Sequence, residues 1–282
     1  MGNILGNFNY RITGDLQRPK VVFLHGLMGF LNNWGSVVRG LSDRYCCLVY
    51  DQRGHGKSMK PAFGYQPEDY ANDLNQIIVE LGWDKIILVG HSMGGRNALC
   101  FSKLFPEKLD KLVIVDISPD YNPNSFVYFE KMLNLVPTPF STQDEMKLFF
   151  ETRFIAEFPA KEDAKVLAKF LMANLVSLNS SSEDGNSRID WKFSKVAILE
   201  SVKLAQPDLL WNWVEHISCE CLYIRGNRSK DLDKETFDRI IKSNSMIKGV
   251  EISDAGHWVH SEQPVLFLNE LKKFLDYNKL QT

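Results

Sequence analysis

The chain of 282 residues is 44% hydrophobic and 24% charged, close to globular averages, which excludes wholesale disorder. Its 33 Lys and Arg against 35 Asp and Glu leave a formal net charge of −2. With no basic stripe to supply a positive field, nucleic acid is not an expected partner.

The first twenty residues lack the basic start and apolar core of a signal peptide. Gly6 stands where a Met-Gly myristoylation motif needs Ser or Thr. No run reaches the roughly 18 to 20 apolar residues of a bilayer-spanning helix, so no stable membrane anchor is expected. FNYRIT (8–13) alternates apolar and polar residues and predicts an antiparallel edge strand. KVVFLHG (20–26), CCLVYD (46–51), KIILVG (85–90), KLVIVDIS (111–118), CECLYIRG (219–226) and IKGVEIS (247–253) are short and mostly apolar throughout. Strands buried on both faces read this way, which points to a parallel sheet.

Helical periods fill the gaps. From Pro67, residues Tyr70, Leu74, Ile77, Ile78 and Leu81 share one helical face, and Gly82 ends it. A last helix is predicted from Pro264 to about Tyr277. This alternation predicts an α/β fold, a mostly parallel sheet flanked by helices. Between Pro119 and Ile217 no comparable strand run appears; KMLNLV, DEMKLFFETRF and AKVLAKFLMANLV are helical, and NSSSEDGNS (179–187) reads as a mobile loop. So long a gap exceeds ordinary crossover lengths. The expectation is a core of residues 1–119 and 218–282 with an inserted helical cap at 120–217.

The five cysteines, Cys46, Cys47, Cys100, Cys219 and Cys221, read as small hydrophobes in a reducing, cytoplasmic compartment. Cys219 and Cys221 lack further ligands nearby, so no metal site is expected.

Gly90-His91-Ser92-Met93-Gly94 follows a strand and opens a helical stretch. In that context G-x-S-x-G is a sharp strand-to-helix bend that exposes a serine hydroxyl. It also leaves the Met93 amide free at a helix N-terminus to stabilise an oxyanion. His25-Gly26-Leu27-Met28 ends another strand and offers a second amide, that of Leu27, with His25 holding the turn. A serine hydroxyl needs a base. Of six histidines, His257 in DAGHW is best placed, between the last strand and the last helix. His91 flanks the nucleophile and packs against the bend. The acid that orients the base should follow a strand between 92 and 257. Asp116 satisfies this, with Asp231 as the alternative. The position three residues beyond the strand-ending Gly226 is Ser229, which cannot serve as an acid.

These segments resemble the α/β-hydrolases, and more narrowly the esterase branch with YbfF-type acyl esterases and ABHD11-like hydrolases. LHGLMGFLNNWGSV, YDQRGHGKS, GHSMGGRNAL, VDISP, WKFSKVAI and DAGHWVH carry the likeness. The resemblance implies an α/β-hydrolase fold with Ser92 as nucleophile, His257 as base, and oxyanion amides from Leu27 and Met93. It also implies that the aspartate of VDIS, Asp116, replaces the acid missing at Ser229. An aspartate of the cap that some ABHD11-like proteins use aligns with Val196 here.

The expected activity is two-step hydrolysis of a small-molecule acyl ester or thioester, with no cofactor, by a monomer or homodimer. Met28, Phe126, Trp191 and Trp258 are candidates for an acyl pocket. The cap aromatics Phe126, Phe129, Trp191, Trp211 and Trp213 suit either a pocket or the cap's own core, and for most of them the core reading comes first. Acyl transfer or elimination on the same triad, or a non-catalytic binding protein of this fold, stay open as alternatives. Dehalogenase and epoxide hydrolase chemistry needs a carboxylate where Ser92 stands.

Overall fold

Apolar runs of five to seven residues, bounded by Gly and polar turns, become strands because burial on both faces rewards an extended, β-branched chain. The run expected at 247–253 differs, since Ile247–Ile252 is an edge strand in which only the two end residues are buried. The computed structural model describes residues 3–276 apart from 121, 123, 159–160, 179–187 and 204–206. Its strands are β1 (Tyr10–Thr13), β2 (Lys20–Leu24), β3 (Cys46–Tyr50), β4 (Ile86–His91), β5 (Leu109–Val115), β6 (Leu175–Leu178), β7 (Arg188–Trp191), β8 (Glu220–Gly226) and β9 (Ile247–Ile252). Seven of them form one sheet in the order β1-β3-β2-β4-β5-β8-β9. All pairs in that sheet are parallel except β1 with β3, so the alternating FNYRIT segment is the antiparallel edge. The chain leaves β2 for β3 on one side and returns to β4 on the other. That reversal places the carboxyl ends of β2 and β4 at a crevice where open α/β sheets bind ligands.

The helices are α1 (Gly35–Leu41), α2 (Pro67–Glu80), α3 (Met93–Leu104), α4 (Ser125–Leu135), α5 (Gln143–Phe149), α6 (Lys161–Ala173), α7 (Lys195–Lys203), α8 (Pro207–Glu215), α9 (Lys234–Ser243), α10 (Val259–Glu262) and α11 (Pro264–Asp276). Strand alternation sorts them into two layers. Val22 and Leu24 of β2 pack with Leu74 of α2, Phe101 of α3 and Ile240 of α9. Val21 and Phe23 face the other way, toward Val37 of α1 and Phe267 and Leu271 of α11. Each fully buried side chain of this size contributes roughly 1.5 to 3 kcal/mol.

The segment between β5 and β8 builds a third apolar cluster. Met132 and Leu133 of α4, Phe150 and Phe154 of a π-turn after α5, Leu171 of α6 and Ile198 of α7 are buried together. One pair of short strands stands within this mostly helical segment. β6 and β7 pair antiparallel, Leu175 opposite Trp191 and Leu178 opposite Arg188. At four residues each they are too short for a periodicity to register, and their partners rather than their own composition make them strands. The NSSSEDGNS segment lies outside the described residues. α8 also lies inside the span expected to form the cap. Its Trp211, Trp213 and Val214 join the cluster shared by α2 and α3 instead, because its apolar face meets the exposed flank of α3.

Candidate active site

β4 ends at His91 and α3 begins at Met93, which leaves Ser92 alone to turn the chain. It does so at φ 53°, ψ −121°, a conformation that L-residues rarely hold and that persists only where surroundings enforce it. The enforcing bonds are visible. Ser92 N–H donates to the Val115 carbonyl at 3.0 Å, and the Ser92 carbonyl accepts from Arg96 N–H at 3.0 Å. The glycines matter here for room. A Cβ on Gly94 would stand 2.7 Å from the His25 carbonyl oxygen, and one on Gly90 2.8 Å from the Gly95 Cα. Gly26 is close enough that its Cβ would lie 3.2 Å from the Ser92 Cβ and 2.9 Å from His91 Nδ1. The turn after β2 therefore sits directly against the serine.

That turn presents amides to the same point. Among the described residues the Leu27 amide has no hydrogen-bond partner. The Met93 amide is the first of α3 and has no acceptor within its helix. Met28 N–H is taken by His55 Nε2 at 3.3 Å. His25 is fully enclosed; its Nδ1–H donates to the Gly26 carbonyl at 2.8 Å and its Nε2 accepts from Gln52 N–H at 3.0 Å. Gln52 returns a bond to the His25 carbonyl at 2.7 Å and is itself held by Asn97 at 2.9 Å. Burial drives His25 down to about 4, against the bond to Gly26. Burial, reinforced by His25, drives His55 down to about 3. Both rings are thus neutral, and each offers the lone pair that fixes the loop.

On the opposite side of the serine, Asp116 follows β5 at φ 51° and is completely buried. One carboxylate oxygen accepts from Gly226 N–H at 3.0 Å. The other accepts from Ser229 Oγ at 2.5 Å and from His257 Nδ1 at 2.9 Å. This fixes the proton of His257 on Nδ1 and leaves Nε2 as the basic nitrogen. Asp231 stands on the same nitrogen at 3.5 Å, but its side chain is 59% exposed. Burial pulls His257 down, yet the bond to Asp116 and the charges of Asp231 and Asp116 outweigh it, so its pKa lies above the ordinary histidine value. The base loop is tied from both ends. His91 Nε2–H donates to the His257 carbonyl at 2.8 Å, while Glu262 accepts from Gly256 N–H at 2.8 Å and Trp258 N–H at 3.1 Å. Burial, with His257 and His260 adding to it, keeps His91 far below its usual range and hence neutral.

His257 and Asp116 are in direct contact, and the backbone of Ser92 is bonded to Val115, the residue before Asp116. No hydrogen bond joins the Ser92 hydroxyl to His257 among the described residues. The apolar candidates separate. Met28 and Trp191 are buried inside the cluster of the inserted segment, Trp191 stacked on Phe193 at 4.8 Å. Phe126 is half-buried on α4. Trp258 neighbours His257 and meets Phe170 of α6 at 5.3 Å. Trp211 donates to Asp120 at 2.7 Å and packs with the core. Sequence reading missed Ser229 as a donor to the acid, and Gln52, His55 and Glu262 as supports. Only the turn residues of YDQRGHGKS hinted at the second and third. No group of three His, Cys, Asp or Glu among the described residues could hold a metal, and all five cysteines are free.

A family model described as alpha/beta hydrolase fold matches residues 19–264. A putative esterase/lipase of Haemophilus influenzae is 28% identical, spanning 99% of this chain and 91% of its own. The sn-1-specific diacylglycerol lipase ABHD11 of Mus musculus is 28% identical across 94% of this chain and 83% of that protein. Esterase YbfF of Escherichia coli is 26% identical across 92% and 94%.

Proposed function

Because the chain belongs to the alpha/beta hydrolase family and is similar throughout its length to esterases and lipases, we propose that it is a serine hydrolase. It cleaves carboxylic esters or thioesters through an acyl-enzyme on Ser92. The observation that carries this reading is the buried Asp116 carboxylate on Nδ1 of His257, beside a serine held at a positive φ.

In the first step His257 Nε2 takes the Ser92 proton as Oγ attacks the acyl carbon. The carbonyl oxygen becomes an oxyanion held by the amides of Leu27 and Met93. The imidazolium formed is stabilised by Asp116 and returns its proton to the departing alcohol or thiol. A water then repeats the sequence, deprotonated by His257, and releases the carboxylic acid with Ser92 restored. Leu27, Phe129 and Phe170 are partly buried at the margin of the inserted cluster. Trp258 meets Phe170 and neighbours His257, and these apolar side chains support an acyl group of hydrocarbon character and a capping role for this segment. No helix among the described residues is long and apolar enough to cross a membrane.

The test is labelling by a fluorophosphonate together with turnover of p-nitrophenyl esters of increasing chain length. Wild type should be labelled at Ser92 and turn over esters, and Ser92→Ala should lose both. Turnover retained by Ser92→Ala, or an unlabelled wild type, would overturn the assignment.

A further inference from the structure

Two carboxylates contact one nitrogen of the base, and their surroundings are opposite. Asp116 is fully buried with both oxygens occupied; Asp231 is mostly exposed, and its carboxylate is 3.5 Å from the ring. A surface acid at that distance is usually an incidental neighbour. Here the backbone that carries it is pinned. Ser229 Oγ donates to Asp116 and also accepts from Asp231 N–H at 3.2 Å and Leu232 N–H at 3.3 Å. Farther along, the Asp233 side chain caps α9 by accepting from Thr236 N–H at 2.8 Å. One hydroxyl therefore sets the spacing between both acids, and the segment from β8 to α9 is fixed at each end.

Building on the serine-hydrolase reading, we propose that the two acids divide the work: Asp116 fixes the orientation and tautomer of the His257 ring, and Asp231 is a positioning residue whose exposed charge stabilises the ring once it is protonated. The other charged or titratable groups facing this ring are consistent with the division. Glu262 of α10 adds negative charge from the loop below. His91 of β4 lies 4.7 Å away, ring to ring, and is neutral. His260, whose ring is 4.8 Å from that of His91, is held down to about 3 by burial and by His257. From the inserted segment, Tyr128 of α4 feels Asp231, and its hydroxyl is pushed upward chiefly by burial. None of these supplies a second charge in contact with Nδ1. Because Asp231 is exposed, its contribution is screened by salt, while that of the buried Asp116 is not.

The measurement is Asp231→Asn, read by NMR titration of the His257 imidazole and by the pH profile of kcat/KM, with Asp254→Asn as an exposed-charge control. Asp231→Asn should move both midpoints to lower pH and also lower the alkaline plateau of kcat several-fold, since the imidazolium that Asp231 stabilises forms in the transition state as well. Raising salt from about 0.1 to about 1 M should shrink the gap from wild type. In an Asp116→Asn background, adding Asp231→Asn should lower kcat about tenfold further, a coupling of the size that residues sharing one partner show. Midpoints that stay at the wild-type pH in Asp231→Asn, or that move as far in Asp254→Asn, overturn the division of labour. The imidazole titration needs no turnover. A shift without any ester hydrolysis would therefore count against the hydrolase reading alone.

Discussion

At the level of single residues the site is organised around proton placement. His257 carries its proton on Nδ1 because Asp116 accepts it there, and the acids around it outweigh burial, so its pKa is raised. In its proposed role as base it would work only when neutral. The rate should therefore climb with pH through a midpoint above the ordinary 6.5. A kcat/KM profile with its acidic limb below that value would contradict the arrangement. Room is the second residue-scale requirement. Gly26→Ala would push a methyl to 2.9 Å from His91 Nδ1 and 3.2 Å from the Ser92 Cβ. Displacing the Leu27 amide in this way should cost kcat on the order of 10² to 10³, as loss of one oxyanion donor does, while circular dichroism still reports a folded chain. Wild-type turnover in Gly26→Ala would show that this turn does not serve the reaction.

Among the elements, the loop after β2 depends on two imidazoles that must stay neutral. His25 is lowered to about 4 and His55 to about 3 by burial. Both folded values lie below the unfolded value, so the unfolded chain binds more protons as the solution is acidified. Stability is complete above about 6.5 and falls as pH drops through that value toward the folded pKa values. At 1.36 kcal/mol per unit, the 6.5 to about 4 shift of His25 alone amounts to about 3 kcal/mol. Urea unfolding at pH 7, 5.5 and 4.5 should show this decline, and replacing His25 with Gln should flatten it. An equal decline in that variant would place the acid sensitivity elsewhere. His257 acts in the opposite sense. Its raised value lends stability below 6.5 that is lost above its folded pKa, so it partly masks the loss near neutrality.

For the molecule as a whole, the inserted segment has its own apolar cluster, distinct from the two layers that sandwich the sheet, and it meets the site through Leu27 and Met28. Phe150 is completely buried in it. Phe150→Ala should cost about 3 to 5 kcal/mol locally. In native-state hydrogen exchange it should speed exchange of α4, α7 and β6–β7 far more than that of β4 and β5. Uniform acceleration across the sheet and the segment would mean that they unfold as one unit. Access to Ser92 would then be governed by global rather than local opening.

The sheet, its antiparallel edge, the helices from Pro67 and Pro264, and the Ser92 bend were all legible in the linear chain. Each rests on short-range causes, namely period-two or continuous apolar runs, helix-starting prolines, and glycines flanking one serine. The short β6–β7 pair, the packing of α8 on the core, and the roles of Ser229 and Glu262 were not. Their properties come from partners far away in sequence, and four residues of LVSL or one isolated serine carry no period to read. The surroundings of Asp116 and Asp231 are the clearest case. Both aspartates fit the order of the chain, and only folding buries one with three hydrogen bonds and leaves the other in water. What chain chemistry determined was which groups could react; burial and distance, properties of the assembled sheet edge, decided what each of them faces.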